Sequence, residues 1–320
     1  MSEQSAYWVV TGTDGVTRTL PMPGPESSAD RDKVRKRRPR WRRAQPQDLR
    51  DIEGPSAFGG SPKRFFDLLR LTSMQQYRLQ YRTSLLGYVW AVLRPLSLFA
   101  VLYFVFSQVI RYGDSIPNFA LILLLGIMLY QFFADATGTA LSALVRGEPV
   151  VRKMHFPRIV IPLSVVVSAA MTAAVNLGVT LGFVVVFGAG FQWTWFLMPL
   201  LFVVLAALTA GVAILLSVMF VSIRDVGQIW NVITRVLFYA SPILYPLERV
   251  PEQFQSIVAL NPLAPIIAQA RIWVIDPSAP GVIETVGLPT FLGSVAIGVA
   301  ICGLGLWLFV RQAPRVAELL

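Results

Sequence analysis

FQSIVALNPLAPIIAQARIWVI, residues 254–275, decides how this chain is threaded. The stretch is apolar enough to be read as a membrane span, but Pro262 and Pro265 interrupt it and Arg271 lies inside it. Proline removes a backbone donor and clashes with the preceding turn, so one continuous helix is disfavoured. Counting the stretch as a span would also put Arg311 and Arg315 outside, against the excess of Lys and Arg that cytoplasmic segments carry. Re-entrant or surface-lying half-helices on the external side satisfy both constraints, because irregular backbone is tolerated at membrane depth only when protein or a wet cavity covers it.

Working outward, six apolar runs remain, at about 86–110, 119–141, 159–187, 195–220, 229–244 and 289–310. A span needs about 20 such residues. Pro95 predicts a kink in the first run, and Trp193, Trp195, Trp230 and Trp307 sit near run ends, where aromatic belts form. Six crossings place both termini, the basic loop at 146–158 and the Arg224-Asp225 turn in the cytoplasm. Only Arg111, Arg249 and Arg271 remain as external arginines. The expected class is an all-α polytopic membrane protein with six transmembrane helices.

Composition agrees. A chain of 320 residues with 55% hydrophobic and 14% charged content is too apolar for an ordinary soluble domain. The net charge of +10 comes largely from Arg31 to Arg43, RDKVRKRRPRWRR, ahead of every run. That cluster is either drawn to anionic lipid headgroups or is a solvated topogenic run; nothing else points to nucleic acid. Residues 1–60 read as a disordered basic cytoplasmic tail with no apolar leader segment. Residues 61–84 form a separate amphipathic segment, and 85–320 the six-span domain. The single cysteine, Cys302, allows no internal disulfide.

On a helix, Phe65, Phe66, Leu68, Leu69, Thr72, Tyr77 and Leu79 share one half of the wheel, and Lys63, Arg64, Asp67, Arg70, Arg78 and Arg82 the other. Ser73, Gln76 and Gln80 blur the apolar face. Ser61 would cap the helix with Pro62 at its first position. Such a helix lies in the membrane interface or packs on a soluble partner.

The loop RGEPVVRKMHFPRIVIP, residues 146–162, carries Arg146, Arg152, Lys153 and Arg158 around an apolar knob of Val150, Val151, Met154 and Phe156. It reads as a surface made for another protein's groove, or as an ordinary basic inside loop. His155 has no ligating neighbours, so no metal site is expected. Asp135, in the second run, is either functional or hydrogen-bonded within the bundle. No GxxxxGK[ST] phosphate loop occurs, so ATP is not expected to be hydrolysed by that route.

In the fifth run, Arg224 and Asp225 precede the helix and Arg235 lies about two turns into it, a depth that requires snorkelling, pairing or a wet cavity. Ser241-Pro242 and Tyr245-Pro246 mark a break suited to a gate. Tyr103, Phe106, Tyr130, Phe133, Phe238 and Tyr239 are candidates to line a path, since aromatic rings stack on sugar faces.

Three segments together resemble the type-2 ABC transporter permeases, in the branch that exports lipid-linked polysaccharides such as O-antigen, teichoic acid and galactan. They are QQYRLQYRTSLLGYVWAVLRP (75–95), the 146–162 loop, and RDVGQIWNVITRVLFYASPILYP (224–246) followed by Asn261-Pro262-Leu263. The resemblance implies a homodimer in the bacterial plasma membrane joined to two copies of a separate ATPase, which binds ATP and Mg; this chain would bind no cofactor. It makes Arg146, Glu148, Val151, Arg152, Lys153, Met154, His155, Phe156 and Arg158 the ATPase-coupling loop. Phe65, Phe66, Leu69, Tyr77 and Arg78 become part of a gate helix for a polyprenyl-linked glycan. High Ala, Val, Gly and Arg usage leans toward galactan. The rival readings are a drug or small-lipid exporter of the same superfamily, a secondary transporter, and a membrane-embedded lipid or sugar transferase.

Overall fold

A computed structural model describes residues 7–11, 17–21, 62–82, 87–147, 157–187 and 191–319. The chain divides into two units, 1–52 and 53–320. In the first, strands β1 (Tyr7–Thr11) and β2 (Thr17–Pro21) pair antiparallel, with Tyr7 opposite Pro21 and Thr11 opposite Thr17. Both strands lie within the segment read from sequence as a disordered tail. Their aromatic and β-branched residues favour a pleated backbone, a local signal masked by the polar composition around them.

Among its described residues the second unit is helical. Helix α1 (Pro62–Arg82) occupies the predicted amphipathic segment; its proposed cap, Ser61, lies outside the described residues. The next helices are α2 (Gly87–Tyr103), α3 (Phe119–Leu141), α4 (Val160–Val186) and α5 (Met198–Ser222). They are followed by α6 (Val226–Ala240), α7 (Glu252–Ala259), α8 (Leu263–Val274) and α9 (Val282–Leu319). Five helical stretches, 89–109, 119–141, 160–186, 193–222 and 282–312, are long and apolar enough to cross a membrane. The fold is that of an all-α polytopic membrane protein.

Helix α3 is the centre of the bundle. Its apolar window is 78% buried, against 6% for the α2 window and 17% for α9. The α5–α9 contact depends on small residues: a Cβ on Gly211 would stand 2.8 Å from the Cys302 Cα, and one on Gly305 would stand 2.6 Å from the Gly211 carbonyl oxygen. Without side chains at these points the two backbones approach closely, as membrane helices do at small-residue contacts.

Three expected runs differ in detail. Helix α2 continues through Pro95, and a π-helical turn, Phe104–Val109, follows it. The fifth run begins and ends earlier than expected: α6 stops at Ala240 because Ser241 turns to extended backbone (φ −94°, ψ 151°) ahead of Pro242. At 15 residues it is about 22 Å long, shorter than the hydrocarbon core. The last helix begins at Val282 rather than 289 and is interrupted at Gly287 (φ 82°, ψ 162°), a conformation that glycine tolerates.

The stretch at 254–275 is broken between Ala259 and Leu263, at Pro262, while Pro265 is accommodated in the first turn of α8. Helices α7 and α8 are bent by 100°. Ahead of the pair, Arg249 Nη2 donates to the Ser115 carbonyl at 3.2 Å; at its end, Trp195 Nε1 donates to the Val274 carbonyl at 3.2 Å. Ser115 precedes α3 and Trp195 precedes α5. Since α3, α4 and α5 alternate in direction, these points share one end of the bundle. The α7–α8 pair is thus sharply bent, with its start and finish held near the segments that precede α3 and α5.

Candidate functional site

The loop between α3 and α4 is framed by two described arginines. Arg146 ends a single helical turn, Ala143–Arg146, and its Nη2 donates to the Thr139 carbonyl at 2.7 Å, fixing the guanidinium against the end of α3. Arg158 stands just ahead of α4, and partial burial pulls its guanidinium below the ordinary arginine value. Glu148, Val151, Arg152, Lys153, Met154, His155 and Phe156 lie outside the described residues.

Helix α1 packs chiefly on α4. Phe65, Leu68 and Leu69 meet the core, and the Tyr81 hydroxyl and Thr172 Oγ1 share a hydrogen bond of 2.8 Å. Tyr77 stands edge-on to Tyr81 with ring centroids 5.2 Å apart, and Arg78 is exposed. Phe66, on the apolar half of the same wheel, is 65% exposed. A half-wheel wide enough to include Phe66 is wider than the contact one neighbouring helix can cover.

Helix α6 is the most amphipathic of the candidate elements. Val226 and Trp230 are buried, while Ile229, Val232, Arg235, Val236 and Tyr239 face outward. Arg224 places its guanidinium 5.1 Å from the Phe220 ring centroid, a cation–π contact that continues α5 into the turn. Asp225 makes no side-chain cap bond. Ser241 and Pro242 are buried, and the Tyr245 hydroxyl donates to the Tyr239 carbonyl at 2.9 Å, closing the break over the end of α6.

Of the six aromatic candidates, two are buried, two are exposed, and Phe106 and Phe238 are half-buried. Tyr130 and Phe133 are 5% and 3% exposed and join α3 to α6. The Tyr130 hydroxyl donates to the Thr234 carbonyl, and its ring meets Phe238 edge-on at 5.3 Å. Phe133 is edge-on to Trp230 at 6.1 Å. Tyr130 and Phe133, two of the candidates to line a path, are packed between α3 and α6. Tyr103 and Tyr239 are exposed, at 37% and 62%; Tyr103 stacks on Phe99, and Tyr239 is edge-on to Phe238.

Phe106 borders a cavity of about 360 Å³ with Tyr112, Tyr245 and Arg249, at the bundle end where α7 begins. Burial pushes the Tyr112 phenol above its ordinary value, and the nearby Arg249 charge partly offsets this.

Asn261, at the corner between α7 and α8, is the position that motif reading underweighted. Its side chain bonds Ser241, so the Ser-Pro and Asn-Pro-Leu motifs, twenty residues apart, form one structural knot. An asparagine directly before proline in an apolar run was the available signal. Arg271, expected among the external arginines, pairs with Glu248 at 2.8 Å and approaches Asp276 at 4.0 Å.

The ABC-2 type transporter family model matches residues 67–274, from α1 through the end of α8. The chain is similar to an O-antigen export system permease protein RfbA of Klebsiella pneumoniae, at 31% identity over 80% of this chain and 95% of the relative. A second K. pneumoniae protein of that name is 31% identical over 64% of this chain and 79% of its own length. One from Myxococcus xanthus is 27% identical over 60% and 74%. The matched region contains most of the amphipathic helix α1, helices α2 to α6 and the broken α7–α8 pair. The chain belongs to the ABC-2 type transporter family, as a membrane permease.

Proposed function

We propose that this chain is the transmembrane subunit of an ATP-driven exporter that moves a polyprenyl-linked cell-surface polysaccharide across the bacterial plasma membrane. The observation that carries the reading is the match to a K. pneumoniae O-antigen export permease over 95% of that protein's length. Two copies of the chain assemble with two copies of a separate ATPase, which supplies the ATP and Mg site. Six crossings, with α6 and residues 241–246 making the fifth, leave both termini and the 146–158 loop cytoplasmic. The α7–α8 pair then forms an external gate. Helix α1 lies at the inner interface, where the lipid-linked cargo arrives. Closure of the ATPases presses on the coupling loops and shifts the two permeases against each other. A galactan is the polymer to test first.

The test is co-expression with the ATPase encoded beside this chain. The account expects co-elution and ATP hydrolysis that responds to polyprenyl-linked glycan. Met154→Asp or Phe156→Asp should abolish co-elution by putting a charge on the apolar knob. Retained binding in both variants would remove the coupling assignment.

A further inference from the structure

Three helices each turn a pair of polar residues toward one space in an otherwise apolar bundle. A cavity of about 760 Å³ lies between α1, α3 and α4, within the ~300–1,000 Å³ range of small-ligand sites. Gln76 and Gln80 line it from α1, Gln131 and Asp135 from α3, and Thr172 and Asn176 from α4. Each pair is spaced by four residues and so shares one helix face. The glutamines that blur the amphipathic pattern of α1 are therefore part of a wall.

Two of these groups are unexplained by packing. Asn176 is 8% exposed and its Oδ1 has no hydrogen-bond partner; the Gln131 Oε1 is likewise buried and unpaired. A buried acceptor without a donor is destabilising. Asp135 adds a third acceptor to the same wall, and Arg94, which is not part of that wall, approaches its Oδ1 at 3.7 Å. The opposite charge lies close by. Arg146 also lines the cavity, with its guanidinium held on the Thr139 carbonyl at 2.7 Å. Thr139 follows Asp135 by four residues, about 6 Å of helix rise. The cavity thus presents a group of acceptors and, about one turn away, a fixed cation.

We propose that this cavity binds the zwitterionic head of a bilayer aminophospholipid. Its primary ammonium, with three N–H donors, meets Asp135, Gln131 Oε1 and Asn176 Oδ1, and its phosphate meets Arg146. Leu79 lines the cavity and is 57% exposed, so the site opens along α1 and the acyl chains remain in the bilayer. An anionic head without an amine would leave the acceptors facing no cationic donor. A choline head carries the same charges but no N–H. The site lies within one chain and requires neither the proposed cargo nor an ATPase. Its occupant would set how firmly α1 sits on α4.

The experiment is native mass spectrometry of the purified full-length chain after exchange into detergent carrying phosphatidylethanolamine, phosphatidylcholine or phosphatidylglycerol. The expected result is retention of phosphatidylethanolamine at least about tenfold over phosphatidylcholine, since loss of charge-assisted hydrogen bonds exceeds the 1.4 kcal/mol that tenfold represents. The double variant Gln131→Leu/Asn176→Leu should lose that preference while melting no lower than wild type, because it removes two unpaired buried acceptors. Equal retention of the two zwitterionic lipids, preferential retention of phosphatidylglycerol, or an unchanged preference in the double variant would overturn the assignment. The wild-type lipid comparison stands even if the variant fails to fold.

Discussion

Asn261 donates from Nδ2 to the Ser241 Oγ at 2.8 Å, tying the break after α6 to the corner between α7 and α8. The Asn261 Oδ1 accepts from the Leu263 backbone N–H at 3.1 Å, and its carbonyl accepts from Ser294 Oγ of α9 at 3.4 Å. Ser241 and Ser294 are 0% and 1% exposed. One residue therefore satisfies three polar groups in surroundings that offer them no water.

Asn261→Leu should lower stability by about 3 kcal/mol, because it leaves the Ser241 hydroxyl and the Leu263 N–H unpaired at about 1–3 kcal/mol each. Asn261→Asp keeps the acceptor for Leu263 and should cost less. Unfolding of the detergent-solubilised chain measures both. Equal melting of wild type and the leucine variant would remove Asn261 from its bridging role.

Trp230 supplies the corresponding tie between α6 and α3. Its Nε1 donates to Thr137 Oγ1 at 3.1 Å, and that hydroxyl donates to the Phe133 carbonyl at 2.7 Å. Trp230→Phe should keep the ring against Phe133 and cost about 1 kcal/mol, the net worth of one hydrogen bond. Trp230→Ala should cost about 3–5 kcal/mol by leaving a cavity. A phenylalanine variant as destabilised as the alanine one would show that the N–H, rather than packing, dominates.

These ties explain why some elements were legible in the sequence and others were not. Pro262 forbids a straight helix, so the α7–α8 break could be read locally. Length and hydropathy likewise gave the runs that became α3, α4 and α5. The end of α6 was less clear, because Leu244 continues the apolar character while the backbone turns at Ser241. The burial of Tyr130 and Phe133 was not legible either: type and spacing do not reveal which face of a wholly apolar helix meets a neighbour. Gln76, Gln131 and Asn176 come together only when three helices pack, so their cavity had no signature in any single segment.

Arg271 and Glu248 form an ion pair at 2.8 Å with side chains 13% and 29% exposed. This environment lies between that of an exposed pair, at ~0–1 kcal/mol, and a buried one, where removing a partner costs ~3–5 kcal/mol. Glu248→Gln should therefore cost about 2 kcal/mol. The double variant Glu248→Gln/Arg271→Met should recover part of the loss, as a double-mutant cycle would show. Additive losses would mean that the pair is not coupled.

At the α5–α9 contact, a Cβ on Gly211 would stand 2.9 Å from the Cys302 Cβ and 2.8 Å from its Cα. Gly211→Val should destabilise by about 1–3 kcal/mol through overpacking. Cys302→Ala should not rescue it, because the Cα and Cβ of residue 302 remain in place. Full rescue by Cys302→Ala would show that only the thiol obstructs.

Translocation itself is the most direct test of the proposed export function. Proteoliposomes containing the chain and its ATPase would receive a labelled polyprenyl-linked glycan on the ATPase side, and glycan reaching the opposite face would be measured with a membrane-impermeant degrading enzyme. The account predicts transfer that requires both ATP hydrolysis and this chain, and that stops with Met154→Asp. Glycan that stays on the ATPase side in a complex that hydrolyses ATP, or that crosses equally well without ATP, would contradict it.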